Sequence, residues 1–225
     1  MENKIDLRYF PVNLDMTKFK VLVVGGGNIA SRKVDNVIQF GAKPKVIAPE
    51  ISASIRNYHH QGMLTHDNRE YKTGDVKGFN LVFVATGVEE VDKRIHAECE
   101  ELGILLNVAD VPPLCNFIMP ATITRGLLTF SIGSQGRSPF MVREMRKKLD
   151  RDLSPMLAET AQLAAEFRDM MLDSGIYYNS SLREEMVREF MKVNWDAVVY
   201  YDGMEKARET INQIYLKYEK LNDKS

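Results

Sequence analysis

Along the first half of the chain, short apolar runs alternate with stretches in which apolar residues recur every three or four positions. KVLVV (20–24), PKVIAP (44–49), NLVFVAT (80–86) and ILLNVAD (104–110) read as continuous apolar runs, the pattern of strands covered on both faces. Between them, ASRKVDNVIQFG and VEEVDKRIHAECEELG carry helical spacing and stop at Gly41 and Gly103. A shorter helix is expected over 53–61. Strands separated by helices imply right-handed parallel crossovers, so the expected fold is α/β, a Rossmann-like doubly wound parallel sheet.

After Pro112 and Pro113 the pattern changes. FIMPATI and LLTFSIG, separated by Thr124-Arg125-Gly126, predict an antiparallel pair joined by a short turn. From Ser138 onward the spacing is helical throughout. Ser138-Pro139 and Ser154-Pro155 each read as an N-cap followed by a first-turn proline, and Ser181 with Glu184 as a capping box. In the last helix Met204, Ala207, Ile211, Ile214 and Tyr218 form a narrow seam for another helix, in the same chain or a partner. The expected organisation is a dinucleotide-binding domain at 1–113, a small β-containing segment at 114–150 and an α-helical domain at 151–225.

Gly25, Gly27 and Ala30 make G-x-G-x-x-A directly after the first strand, where the first helix opens. The first glycine supplies the turn, the second lets a pyrophosphate approach the backbone, and the small third residue lets helix and strand pack closely. The helix N-terminus then offers free N–H groups to the phosphate. The acid expected about 20 positions on is Glu50, one or two positions late. There it reads as a ribose ligand that favours NAD over NADP, or as a solvated loop carboxylate. Ala85-Thr86 at the end of the third run lies beside the cofactor by the same topology.

The end of the fourth run carries Asn107 and Asp110, at the sheet edge where such folds bind ligands. Asp110 is the only carboxylate between Glu101 and Glu144. It reads either as a general base or as a cap of the turn before Pro112. Downstream, Gly133, Ser134, Gly136, Arg137 and Ser138 combine a flexible loop with a helix start, a second anion cradle. Arg137 in that loop and Arg125 in the turn are candidates for an acidic ligand. Arg143, Arg146, Lys147 and Lys148 read as a solvated face.

Charge and composition narrow the classes. The 225 residues carry a net charge of −1, so no global field draws nucleic acid or an anionic membrane. MENKIDLRYF lacks the apolar core of a secretory signal, and no apolar run approaches the roughly 20 residues of a membrane span. Cys99 and Cys115 form no CxxC and read as small buried residues of a protein in a reducing cytoplasm. The four histidines show no metal-ligand spacing; His59-His60 reads as an exposed loop pair, and no metal ligand set is assigned.

KVLVVGGGNIASRK, VIAPE, NVADVPPLCNFIMPA and SIGSQGRSP, in that order over roughly 7–150, resemble the precorrin-2 dehydrogenase family of sirohaem synthesis. The helical tail resembles the stand-alone form more loosely, and no methyltransferase domain is expected. The resemblance implies oxidation of precorrin-2 to sirohydrochlorin with NAD as hydride acceptor. It places the family's aspartate on Asp110, its cofactor contacts on Asn28, Ile29, Pro49 and Glu50, and its loop serine on Ser134. The many carboxylates of an anionic tetrapyrrole give Arg125, Arg137 and Ser138 a purpose. The resemblance also implies an intertwined homodimer built through 114–150. Two departures stand out: Val111 follows the aspartate, and Thr124-Arg125-Gly126-Leu127 replaces the frequent D-R-S-P, removing a carboxylate near the ligand. The alternatives are a bifunctional dehydrogenase and ferrochelatase, and a non-enzymatic NAD-sensing regulator, which would need a DNA-reading element that the basic residues do not form.

Overall fold

The structure, a computed structural model, describes residues 7–222. The chain divides into two compact units, the first ending at Met119 and the second beginning at Pro120.

In the first unit, β1 (Val21–Val24), β2 (Lys45–Ile47), β3 (Thr65–Asp67), β4 (Leu81–Val84) and β5 (Leu105–Val108) form one parallel sheet in the order β3-β2-β1-β4-β5. This is the order of a dinucleotide-binding half, with its reversal at β1. Every residue of β1 and β4 is buried, as their unbroken apolar runs require. Alternate residues feed opposite faces. Val21 and Val23 pack with Val34 and Val37 of α1 (Asn28–Gln39) and Ile55 of α2 (Ala53–His60). Leu22 and Val24 pack with Ile95 and Cys99 of α3 (Glu89–Leu102). Burying each such aliphatic side chain contributes about 1.5–3 kcal/mol. Gly103 ends α3 in the left-handed conformation (φ +65°) expected of a terminal glycine.

β3 is absent from the sequence reading. Its residues, Thr-His-Asp, have no apolar run, and it is held at the sheet edge by pairing with β2 and by charge. Asp67 meets Lys45 at 2.9 Å and Arg69 at 3.1 Å, and Arg69 also bridges to Asp75 at 2.6 Å. His59 and His60 close the last turn of α2 and so belong to a helix, not a loop.

In the second unit, β6 (Ala121–Arg125) and β7 (Leu128–Ile132) pair antiparallel, as expected. The turn is Gly126-Leu127, one residue later than read. Gly126 takes φ +55° at its first central position, where a type II′ turn needs a glycine. α4 (Pro139–Asp152), α5 (Leu157–Asp173), α6 (Ser180–Lys192) and α7 (Trp195–Asn222) follow. α7 is broken at Gly203, whose backbone is non-helical. Phe167 stacks on Phe190 at 5.1 Å, and Trp195 donates its indole N–H to the Phe190 carbonyl at 2.8 Å.

The caps depart from the sequence reading. Ser138 is the N-cap of α4 with Pro139 behind it, but its hydroxyl makes no capping bond. Ser154 accepts from the Met156 N–H in a turn before α5, which begins two residues beyond Pro155. α6 starts earlier than the Ser181 box implied, capped by the Asn179 side chain on the Leu182 N–H. The seam of α7 is satisfied within the chain. Ala207, Ile211 and Tyr218 are buried against α5 and α6, with Met204 and Ile214 packed beside them.

Candidate functional site

The carboxyl ends of the five parallel strands carry the first unit's candidate residues. Gly25 follows β1 with φ +118°, which favours glycine, and donates to the Ile47 carbonyl at 3.0 Å. A Cβ at Gly25 would run into the Ala85 carbonyl, and one at Gly26 into the Glu50 carbonyl. Gly27 differs. It has φ −79°, open to any residue, and a Cβ there would meet no atom within 4 Å. Its lack of a side chain therefore serves no packing within the protein and leaves the backbone open to a ligand. Gly27 is the N-cap of α1 and brings no capping side chain, so Asn28 and Ile29 begin a helix whose N-terminal end is available to an anion.

The segment after β2 closes the loop from one side. Pro49 and Glu50 are exposed there, and the Ser52 N–H donates to the Gly26 carbonyl at 2.8 Å. Ser31 and Ser52 hydroxyls meet at 2.6 Å, tying α1 to the start of α2. On the other side Ala85 donates to Val24 at 2.8 Å. Thr86 turns its hydroxyl to the Asp92 carboxylate and accepts from the Val88 N–H, so its side chain caps the entry to α3.

Beyond β5, Asp110 is exposed and left-handed (φ +60°), a conformation that costs most L-residues energy and that Asp tolerates better. Its frame is a buried polar network. Cys115 Sγ accepts from the Val108 N–H at 3.2 Å and donates to the Val108 carbonyl at 3.3 Å. Burial pushes that thiol above its ordinary pKa, so it is protonated at neutral pH. Asn107 was expected to touch substrate. It is 8% exposed, and its amide donates to the Phe117 carbonyl at 3.2 Å while its Oδ1 accepts from Lys33 Nζ at 2.9 Å. Lys33, which sequence reasoning passed over, reaches from α1 across the Phe83 ring, 5.5 Å from its centroid. Burial lowers its pKa, Arg32 adds to that, and Asp110 opposes it. Its only sequence signal is a place beside Val34 on the flank of the buried stripe.

In the second unit, Ser134 Oγ accepts from the Ser138 N–H at 2.9 Å, and Gln135 and Gly136 are both left-handed (φ +56° and +74°). Arg137 is exposed. Arg125 is not a free cation: it binds Asp150 Oδ1 at 2.6 Å and the Asp150 carbonyl at 3.2 Å, fastening β6 to α4. Arg146 stays exposed, as read from the sequence, and donates to the Thr122 carbonyl at 3.0 Å.

Residues 12–121 match a family model described as "Putative NAD(P)-binding". The chain is 34% identical over 164 residues to a siroheme synthase of Psychrobacter sp. (strain PRwf-1), covering 71% of this chain and 33% of the relative. It is 36% identical over 163 residues to that of Psychrobacter arcticus, covering 71% and 29%. With the siroheme synthase of Saccharophagus degradans it shares 33% over 175 residues, covering 78% and 38%. The chain thus spans about a third of the length of these relatives. Among solved structures, "SirC, precorrin-2 dehydrogenase" superposes with a TM-score of 0.73 at 24% identity, covering 91% of this chain and all of that one. At that identity the likeness speaks to the fold.

Proposed function

We propose, from the match of residues 12–121 to the NAD(P)-binding family model and the likeness to siroheme synthases, that the chain belongs to the precorrin-2 dehydrogenase/siroheme synthase family and is an NAD-dependent dehydrogenase oxidising precorrin-2 to sirohydrochlorin. The observation that carries this is Gly27. Its Cβ position is empty while those of Gly25 and Gly26 are occupied by neighbouring backbone, at the same sheet edge as left-handed Asp110.

NAD, when bound, supplies the hydride acceptor. The chain does the rest. The Gly25–Ala30 turn and the start of α1 hold the pyrophosphate, and Glu50 receives the ribose hydroxyls. Asp110 takes the proton released with the hydride or holds the macrocycle in register. Ser134, Arg137 and Ser138 are the second unit's candidates for substrate carboxylates. Asn107 in the first unit and Arg125 in the second each act through the contacts that hold their own loops. The reading further includes a homodimer and a reducing, cytoplasmic setting, in keeping with two free buried cysteines. Among the described residues no helix is long and apolar enough to cross a membrane.

An anaerobic assay with precorrin-2 and NAD tests the reading by the absorbance of NADH. Failure to form NADH overturns it, and a second arm with sirohydrochlorin and a divalent metal tests chelation. NAD should support turnover better than NADP, because Glu50 repels a 2′-phosphate. A clear preference for NADP would remove Glu50 from the site.

A further inference from the structure

Lys33 is placed where packing alone would put an apolar residue. Its stem runs between α1 and the sheet, and its ammonium lies over the Phe83 ring, itself edge-on to Phe117 at 5.8 Å. Among the described residues it forms no ion pair. Its acceptors are Asn107 Oδ1 at 2.9 Å and, weakly, Met119 Sδ at 3.7 Å. A part-buried ammonium without a carboxylate partner is costly, and a methionine would fill the same space. What the ammonium adds is a link. Asn107 joins it to the Phe117 carbonyl, and Cys115, 3.8 Å from the Asn107 amide, clamps Val108 and reaches the Val111 carbonyl at 3.5 Å. These contacts hold the segment on both sides of Asp110.

We infer that Lys33 is a positioning residue of the reaction site: its ammonium ties the Asp110 loop to the helix that follows the glycine turn. The groups around it are Arg32 on its own helix, Asn107 of β5, Phe83 of β4, and Cys115, Met119 and Asp110 of the loop beyond β5. With Cys115 protonated, Asp110 is the anion in this set. Removing the Asp110 carboxylate lowers the Lys33 pKa further.

The first test needs no turnover. In the full chain with isotope-labelled lysine, the Lys33 signal is assigned by its loss in Lys33→Arg. It should titrate below the other lysines, and lower still in Asp110→Asn, with the other midpoints unmoved. An unchanged Lys33 midpoint in Asp110→Asn overturns the coupling. The second test rests on the dehydrogenase reading. Lys33→Met should reduce kcat by about tenfold or more, since small misplacements of a reacting group cost up to about 10²-fold. It should leave KM for NAD in place. Lys33→Arg, which keeps the cation and its bond to Asn107, should restore most of the rate. A Lys33→Met enzyme with normal kcat refutes the positioning role. If the unmodified chain turns nothing over, the dehydrogenase reading is what fails, and the titration still decides the coupling.

Discussion

At the scale of the residue, Asp110 carries the chemical prediction, and its backbone decides how to test it. A positioned general base contributes about 10²- to 10⁴-fold. Asp110→Ala should slow turnover by about that factor, but alanine also pays about 1–2 kcal/mol for the left-handed backbone at φ +60°. Asp110→Asn avoids this, because asparagine tolerates that conformation. If proton transfer matters, asparagine should be nearly as slow as alanine while binding NAD normally. A rate close to the unmodified chain would make Asp110 a ligand-positioning or turn-capping residue. The glycines give a second contrast. Gly27→Val should weaken NAD binding at least about tenfold, or ~1.4 kcal/mol, with the melting temperature little changed. Gly26→Ala should instead cost about 1–3 kcal/mol of stability, by overpacking against the Glu50 carbonyl. Equal melting temperatures would contradict that. The motif was legible because its spacing is local. The need for Gly26 was not, since it comes from Glu50 far along the chain. Lys33 was invisible for the same reason: only the folded sheet brings Phe83 and Asn107 to it.

At the scale of the element, buried strands were legible wherever a run was apolar on both faces. β3 escaped because its stability lies in edge pairing and in the Lys45–Asp67–Arg69–Asp75 charges, which leave no hydrophobic period. Caps failed where a residue type was read without its geometry. Ser181 had the composition of a box, yet Asn179, two positions earlier, has the extended backbone and the bond to Leu182. Cys99 shows the reverse, a residue whose bland reading is also its role. On the inner face of α3 it has no exposed surface, and burial with the nearby Glu98 charge pushes its thiol up to about 12. Thiolate being the nucleophile, Cys99 should resist alkylation at pH 8 in the native protein and react once it is unfolded. Rapid native labelling of Cys99 would mean that α3 opens readily from the sheet.

At the scale of the whole molecule, the question is which surface a second copy would cover. The periodic seam of α7 looked like one from sequence, but it is filled by α5 and α6, so it gives no reason to dimerise. Apolar side chains are exposed on α6 and α7, among them Met191 and Tyr201, and a further group lies on α4 and the hairpin. α4 buries no residue, and Phe140, Met141 and Met145 are 61%, 50% and 50% exposed. Leu127 and Leu128 of the hairpin are 63% and 38% exposed. Neighbouring apolar side chains left in water in this way are more often an interface than a free surface. They all fall within 114–150, the segment that the family resemblance marks for assembly. Sedimentation should therefore find a dimer at micromolar concentration. Met141→Asp combined with Met145→Asp should shift it toward monomer, with helical content and melting of the α5–α7 core unchanged, because neither side chain is part of that core. A monomeric unmodified chain would sink the dimer. A double variant that stays dimeric would move the interface away from α4.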